Sequence, residues 1–229
     1  MQPDSRVGIY FCPSEDDPLF VAGTAWLGRN PLRDASDLRA RPDIAGIDEV
    51  TAEARVYGFH ATLKPPMRLG AGCTWFGLLT AVNAMAERIA PFELPPLAVN
   101  DLHGFLALRE TEPSPPLQGL ADACVVALDG YRASPSEAEL ARRRRAGLTG
   151  AQEAMLVQYG YPYVLQTWFF HMTLTRRLTA EEHRVWRPAA ERFFAAAAGK
   201  KRRVTDVCLF TQAAPGAPFV ISARVPLGG

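Results

Sequence analysis

Two of the four histidines in this chain lie in nearly the same local sequence. His60 occurs within residues 57–66 (YGFHATLKPP), and His171 occurs within residues 168–175 (WFFHMTLT). In each segment a Phe precedes the His, a Thr follows two residues later and a Leu follows three residues later. A lone histidine in a strand is usually structural, but two copies of one pattern favour a functional role for both.

Side chains in a strand alternate between two faces, so each pattern places His and Thr on one face and apolar residues on the other. The residues expected on the polar faces are His60, Thr62 and Lys64 in the first strand and His171, Thr173 and Thr175 in the second. The residues expected on the apolar faces are Phe59, Ala61 and Leu63, and Phe170, Met172 and Leu174. The sequence therefore predicts two half-buried strands that each present an imidazole and a hydroxyl.

Paired imidazoles are suited to acid–base catalysis, because histidine has an ordinary pKa of about 6.5 and one ring can be neutral while the other is protonated. The neutral ring would deprotonate a nucleophile, and the charged ring would protonate a leaving oxygen. Thr62 and Thr173 would donate hydrogen bonds to phosphoryl oxygens. Lys64 would either add positive charge to the same phosphate site or lie solvated at the end of its strand.

Other familiar chemistries lack their motifs in this sequence. A metal site needs several ligands, and no H-x-H or H-x-x-x-H pair and no nearby group of Cys and Asp supplies them. No G-x-S-x-G elbow, P-loop or G-x-G-x-x-G motif is present. We therefore expect a site that uses no metal ion and no cofactor.

Each histidine pattern is followed by the same order of predicted elements. A helix comes first, and two strands follow at intervals that agree within a few residues between the copies. The sequence thus predicts an α+β fold with one repeat at about 57–110, a second at about 168–225 and a helical connection at about 117–160. Such a repeat implies two lobes related by a pseudo-two-fold axis, with antiparallel sheets flanked by helices and an active-site cleft between them. We expect a single bilobal domain over residues 1–229.

Local signals predict many of the individual helices and strands. Residues 6–12 predict a buried strand, and Thr74 and Thr179 are predicted to cap helices that start at the next residue. Residues 30–50 are rich in Pro, Asp, Arg and Ala without a clear period and predict a loop with at most one helical turn. The arginines at 142–145 could contact a phosphate, but four adjacent residues cover all sides of a helix, so most should be solvated.

The composition is that of an ordinary globular protein. The 229 residues carry a formal net charge of +1, which disfavours a protein that coats nucleic acid but allows a local basic pocket. Cys12, Cys73, Cys124 and Cys208 form no C-x-x-C pair and predict buried free thiols in a reducing compartment. Because the sequence has no long apolar run and no signal-peptide pattern, we expect a cytoplasmic protein without a membrane partner. The oligomeric state is left open.

Two His-x-Thr-Leu strands about 110 residues apart resemble the two-histidine phosphoesterase superfamily. That superfamily includes LigT-like RNA phosphodiesterases and ligases and cyclic nucleotide phosphodiesterases. Several segments more narrowly resemble an uncharacterised bacterial branch that is often encoded in phosphonate-utilisation gene clusters. These segments are residues 9–11, 26–29, 57–66, 104–108, 140–144, 160–164 and 170–175.

The resemblance implies a role for each residue of the repeated pattern. His60 and His171 would be the catalytic pair, and Thr62 and Thr173 would be the phosphate-binding hydroxyls. The fold implied is a bilobal α+β domain with its cleft between two antiparallel sheets, and the chemistry implied needs no metal.

Residues and resemblance together predict a metal-independent phosphodiesterase that acts on a cyclic phosphate of a small sugar or nucleotide. The phosphonate association favours a ribose phosphate intermediate as substrate, and an RNA end is a less favoured one. The alternative is a non-catalytic binding or regulatory protein that holds a phosphorylated ligand in the same cleft. The sequence leaves open the regiochemistry, the choice between hydrolysis and ligation, and which histidine is the acid.

Overall fold

The computed structural model describes residues 5–32, 41–145 and 147–229, and within them the fold is α+β, as the sequence predicts. The strands are β1 (Arg6–Phe11), β2 (Ala61–Met67), β3 (Phe92–Leu94), β4 (Leu97–Leu102), β5 (Phe105–Glu110), β6 (Met172–Arg177), β7 (Arg202–Val204), β8 (Asp206–Gln212) and β9 (Phe219–Pro226). Seven of them form one antiparallel sheet in the order β4-β5-β6-β2-β1-β8-β9, and β3 pairs with β7 separately. Pro95 and Pro96 separate β3 from β4 because proline cannot donate a ladder hydrogen bond.

Five of the seven described helices begin at a residue whose side chain caps the first turn, and α2 and α4 begin without such a hydrogen bond. Their bounds are α1 (Pro18–Leu27), α2 (Ile47–Tyr57), α3 (Trp75–Ala86), α4 (Pro115–Leu128), α5 (Glu137–Arg144), α6 (Gly150–Tyr159) and α7 (Ala180–Ala198). Thr74, Ser136, Thr149 and Thr179 each accept a hydrogen bond from a backbone N–H of the first turn. These caps satisfy amides that have no partner inside the helix, which explains why the starts are visible in the sequence.

The two histidine patterns lie side by side at the centre of the sheet. His60 directly precedes β2, His171 directly precedes β6, and the two strands pair through Ala61 and Met172. The six predicted apolar positions are fully buried: Phe59, Ala61, Leu63, Phe170, Met172 and Leu174. On the opposite face His60, Thr62, His171 and Thr173 are partly exposed, whereas Lys64 and Thr175 are buried there.

The order of elements repeats along the chain. β2 is followed by α3, β3, β4 and β5, and β6 is followed by α7, β7, β8 and β9. The β4–β5 hairpin of the first copy pairs with β6, and the β8–β9 hairpin of the second copy pairs with β1, which is bound to β2. The two halves are thus joined in one continuous sheet where two sheets had been expected. The division into two lobes stays a prediction.

One helix continues well beyond the single turn that the sequence predicts within residues 30–50. Residues 33–40 lie outside the described residues, but α2 begins at Ile47, directly after Gly46 in a left-handed conformation (φ 84°). The helix buries Ile47, Val50, Thr51 and Ala54, which have the spacing of one helical face. The full length of α2 was not predicted because this short stripe is diluted by acidic residues and is preceded by a Pro-rich stretch without a period.

The cysteines follow the expected pattern with one exception. Cys12, Cys124 and Cys208 are buried free thiols, whereas Cys73 is a partly exposed free thiol just before α3. Among the described helices, none combines the length and the apolar character that a membrane crossing requires.

Candidate active site

The register between β2 and β6 brings the two copies of the histidine pattern together. Ala61 pairs with Met172, so on the other face the neighbouring residues of each antiparallel strand are placed opposite each other. These facing residues are His60 with Thr173, and Thr62 with His171. We call these four residues the His–Thr quartet. Each histidine thus shares a face of the sheet with the threonine of the other copy on the neighbouring strand.

A pocket of about 250 Å³ opens over this face of the sheet. Three residues of the quartet, His60, Thr62 and Thr173, line it. The lining does not include His171, whose ring packs against Phe169 with ring centroids 5.0 Å apart. The pocket therefore holds His60 and both threonines, and His171 is their cross-strand neighbour.

In each histidine pattern the imidazole ring is oriented by a hydrogen bond to the backbone carbonyl two residues earlier. Nδ1 of His60 lies 2.8 Å from the carbonyl oxygen of Gly58, and Nδ1 of His171 lies 3.2 Å from that of Phe169. A carbonyl oxygen only accepts hydrogen bonds, so Nδ1 carries the hydrogen in each ring. Nε2 is then the nitrogen that can exchange a proton with a ligand, and in His60 it lies 3.4 Å from the hydroxyl of Thr62.

His60 lies in an aromatic surrounding that disfavours its charged form. Its ring stacks on Tyr10 at 3.9 Å between centroids, and Phe210 lies 5.8 Å away. Burial lowers the pKa of His60 to about 4, the hydrogen bond to the Gly58 carbonyl opposes this shift, and the charge of His171 adds to it. His60 is therefore neutral at neutral pH.

His171 differs from His60 in its charged neighbour. Burial lowers the pKa of His171, its hydrogen bond to the Phe169 carbonyl raises it, and the charge of Arg109 lowers it. The fold thus lowers the pKa of both histidines, and that of His60 falls to about 4. The equivalent sequence settings thus become unequal in the folded protein.

The lowered pKa of His60 makes folding stability depend on pH. Between about pH 6.5 and about 4 the unfolded chain binds a proton at this residue that the folded chain does not, so the free energy of unfolding falls as the pH falls. For one such histidine the loss is roughly 2 kcal/mol near pH 5. Denaturant unfolding near pH 7 and near pH 5 should show a smaller drop for His60→Gln than for the wild type. Equal drops in the two proteins would mean that His60 titrates normally in the folded state.

Tyr10 is a site residue to which the sequence analysis assigned no role. Its side chain is fully buried, it lines the pocket, and within the described residues its hydroxyl has no hydrogen-bond partner. The ring can lie flat along β1 because Gly8 has no side chain: a Cβ there would be 2.5 Å from the Tyr10 ring. The sequence feature that could have indicated this position for Tyr10 is Gly8, a glycine two residues earlier on the same face of the strand.

Two arginines from distant parts of the chain reach the same pocket. Arg6 comes from β1, and Arg143 comes from α5. Of the predicted arginine run, Arg143 is the member that lines this pocket, and Arg144 pairs instead with Glu153 at 2.7 Å. The pocket thus combines three residues of the quartet with positive charge.

Lys64 is directed away from the quartet. Its side chain is buried, and Nζ donates to the carbonyl oxygen of Val125 at 3.1 Å and lies 3.3 Å from the carboxylate of Asp129. The phosphate contact expected for Lys64 is therefore replaced by an ion pair that ties β2 to α4 and the turn after it. Lys64 forms this ion pair because the fold places the carboxylate of Asp129, which lies 65 residues later in the chain, beside its ammonium group.

No group of three or more His, Cys, Asp or Glu side chains within residues 5–32, 41–145 and 147–229 is arranged to hold a metal ion.

Comparison with known proteins identifies a family and two longer relatives. A family model described as "Protein of unknown function (DUF1045)" matches residues 62–220. A protein from Janthinobacterium sp. (strain Marseille), named ribose 1,5-bisphosphate phosphokinase PhnN, is 40% identical over 234 residues, which cover 98% of this chain and 51% of that protein. The protein of the same name from Laribacter hongkongensis (strain HLHK9) is 33% identical over 215 residues, which cover 93% of this chain and 50% of that protein. The chain thus spans about half the length of these curated relatives.

Several solved structures are also similar at low identity. E. coli LigT complexed with NADP+ is 13% identical, with 100% of both chains covered and a TM-score of 0.45. E. coli LigT complexed with phosphate is 13% identical, with the same coverage and a TM-score of 0.44.

Proposed function

We propose that this chain, which belongs to the DUF1045 family of proteins of unknown function, is a phosphodiesterase that hydrolyses a cyclic phosphate of a small sugar or nucleotide. The observation that supports this most directly is the β2–β6 register, which sets each histidine opposite the threonine of the other copy. Two imidazoles with exchangeable Nε2 atoms and two hydroxyl donors supply a base, an acid and ligands for the phosphoryl oxygens.

We assign the role of base to His60, because its lowered pKa keeps the ring neutral, and the role of acid to His171. Neutral His60 accepts a proton at Nε2 from a water molecule whose oxygen attacks phosphorus. The bond from phosphorus to one sugar oxygen breaks, and that oxygen takes the proton from Nε2 of His171. The product is a phosphomonoester with a free hydroxyl, and the two histidines exchange protons with solvent to start again. A bound phosphodiester anion favours the protonated form of His171, because an opposite charge nearby raises the pKa of a histidine.

The threonines act where negative charge accumulates. The hydroxyls of Thr62 and Thr173 donate to the two non-bridging oxygens, which gain charge as the water attacks. Because the donors are fixed on neighbouring strands, they need little reorganisation during the reaction.

The relatives favour a ribose phosphate as the substrate. Both relatives are named ribose 1,5-bisphosphate phosphokinase, and this chain matches about half of their length. A cyclic phosphate that spans the hydroxyls at carbons 1 and 2 of ribose 5-phosphate would give ribose 1,5-bisphosphate when its bond to oxygen 2 is hydrolysed. We propose this compound as the first substrate to assay, with nucleoside cyclic phosphates beside it.

Turnover of these compounds in excess chelator is the direct test. Acid, base and phosphate donors are all side chains in the proposed mechanism, so hydrolysis followed by phosphorus NMR should continue at an unchanged rate in EDTA. His60→Ala, purified in the same way, controls for contaminating phosphatases. Loss of activity in EDTA that one divalent ion restores would contradict the mechanism. Thermal stabilisation by the same compounds without turnover would instead support a binding protein.

A further inference from the structure

The arginines of this protein differ in what holds them in place. Away from the pocket many are paired with carboxylates at 3.2 Å or less: Arg55 with Asp48, Arg68 with Glu139, Arg132 with Asp129, Arg144 with Glu153, Arg176 with Glu182, Arg202 with Asp17 and Arg224 with Asp206. For the two arginines at the pocket, Arg6 and Arg143, the described part of the chain provides no carboxylate partner.

Arg6 is positioned by a neutral amide. Its Nε and Nη2 donate to the side-chain oxygen of Gln212 at 2.8 and 2.6 Å, and the Gln212 nitrogen in turn donates to the carbonyl oxygen of Ala217 at 2.6 Å. The guanidinium also lies 5.5 Å from the centre of the Phe219 ring. These contacts fix the direction of the guanidinium without neutralising its charge.

Arg143 is positioned by an aromatic face. Its guanidinium lies 4.5 Å from the centre of the Tyr161 ring, and both residues line the pocket that contains His60. A cation over an aromatic face is oriented but keeps its charge and its N–H donors. Arg6 and Arg143 also line the adjoining pocket, so both stand where the two pockets meet.

The buried hydroxyl of Tyr10 completes this group. Burial raises the pKa of Tyr10 above its usual value, the neighbouring Tyr57 and Tyr161 raise it further, and Arg6 lowers it. The hydroxyl is therefore a neutral group that shares its surroundings with Arg6. A buried hydroxyl without a partner has a free-energy cost that a bound acceptor would remove.

We propose that Arg6, Arg143 and the Tyr10 hydroxyl bind a second, terminal phosphate of the substrate, while its cyclic phosphate lies at the His–Thr quartet. Two uncompensated guanidinium groups match a phosphomonoester dianion, and all three residues can donate hydrogen bonds to its oxygens. Glu53, an exposed carboxylate on the lining of the same pocket, can accept from a sugar hydroxyl. This inference rests on the proposed function and narrows its substrate class to cyclic phosphates that also carry a phosphomonoester.

The test compares substrates that differ only in the second phosphate. Ribose 1,2-cyclic phosphate and adenosine 2′,3′-cyclic phosphate are each assayed with and without a 5-phosphate. The wild type should prefer the phosphorylated member of a pair by about 10²-fold in kcat/KM, the effect of one or two charge-assisted hydrogen bonds. Arg6→Gln and Arg143→Gln should each reduce that preference about tenfold or more. Arg145→Gln, the same charge change on an exposed residue after α5, should keep it.

Binding of ribose 5-phosphate separates this inference from the proposed function. Calorimetry should show tighter binding of ribose 5-phosphate than of ribose to the wild type, and Arg143→Gln should lose most of the difference, whether or not any cyclic phosphate is hydrolysed. Hydrolysis of both members of each pair at equal rates would leave the phosphodiesterase intact and overturn the second phosphate site. A preference that Arg6→Gln, Arg143→Gln and Arg145→Gln reduce equally would overturn it as well.

Discussion

Alanine at position 60 or position 171 should lower kcat for cyclic-phosphate hydrolysis by about 10²–10⁴-fold, the contribution expected of a positioned general acid or base. The double variant should lose less than the product of the two single losses, because base and acid act in the same transition state. His183→Ala is the matched control, since His183 is a partly buried histidine on α7 that contacts the backbone of Gly104 at 3.3 Å. It should retain the wild-type rate.

A substrate with a very good leaving group should distinguish the two histidines. A p-nitrophenyl phosphodiester releases an anion that needs no proton, so it should restore much of the activity lost in His171→Ala, the variant that lacks the acid. His60→Ala lacks the base and should gain little. Rescue of His60→Ala in place of His171→Ala would reverse the assignment, and equal rescue of both variants would contradict separate acid and base roles.

Valine in place of Thr62 or Thr173 should lower kcat by about 10²-fold or somewhat more, because each change removes one donor to a phosphoryl oxygen that gains charge in the transition state. Valine keeps the shape of threonine and favours strands, so the melting temperature should change little. The effect should appear in kcat more than in KM, since the hydrogen bond strengthens as charge develops.

Thr211→Val controls for the loss of a strand hydroxyl outside the pocket. Thr211 lies on β8 and hydrogen-bonds Ser222 at 2.5 Å, on the opposite face of the strand from Phe210 and Gln212. This variant should hydrolyse the substrate at the wild-type rate. If Thr62→Val and Thr173→Val are as active as Thr211→Val, the two quartet hydroxyls have only a structural role.

Local periodicity carries much of the information about the elements of this fold. Alternation around His60 and His171 predicted which side chains of β2 and β6 would be buried, and Thr74 and Thr179 marked the starts of α3 and α7. These signals survive in the sequence because the interactions behind them span only two to four residues. Most of α2 was not predicted because the apolar stripe that marks a helical face is short there and is interrupted by acidic residues.

Candidate chemistry was also visible in residue types and spacing. The repeated His-x-Thr-Leu pattern singled out His60, Thr62, His171 and Thr173, and the β2–β6 register placed them together. The pattern could not distinguish the two histidines from each other. Their difference comes from Tyr10, which stacks on His60, and from Arg109, whose charge acts on His171.

Only the tertiary structure decided which charged side chains reach the pocket. Lys64 looked like a phosphate ligand from its strand face, but Asp129, far away in sequence, takes its ammonium. Arg6 and Arg143 had no local mark that separated them from other arginines, yet Gln212 and Tyr161 orient them toward one pocket. Such pairings depend on which distant segments the fold brings within a few ångströms, and no periodicity within a single segment encodes that.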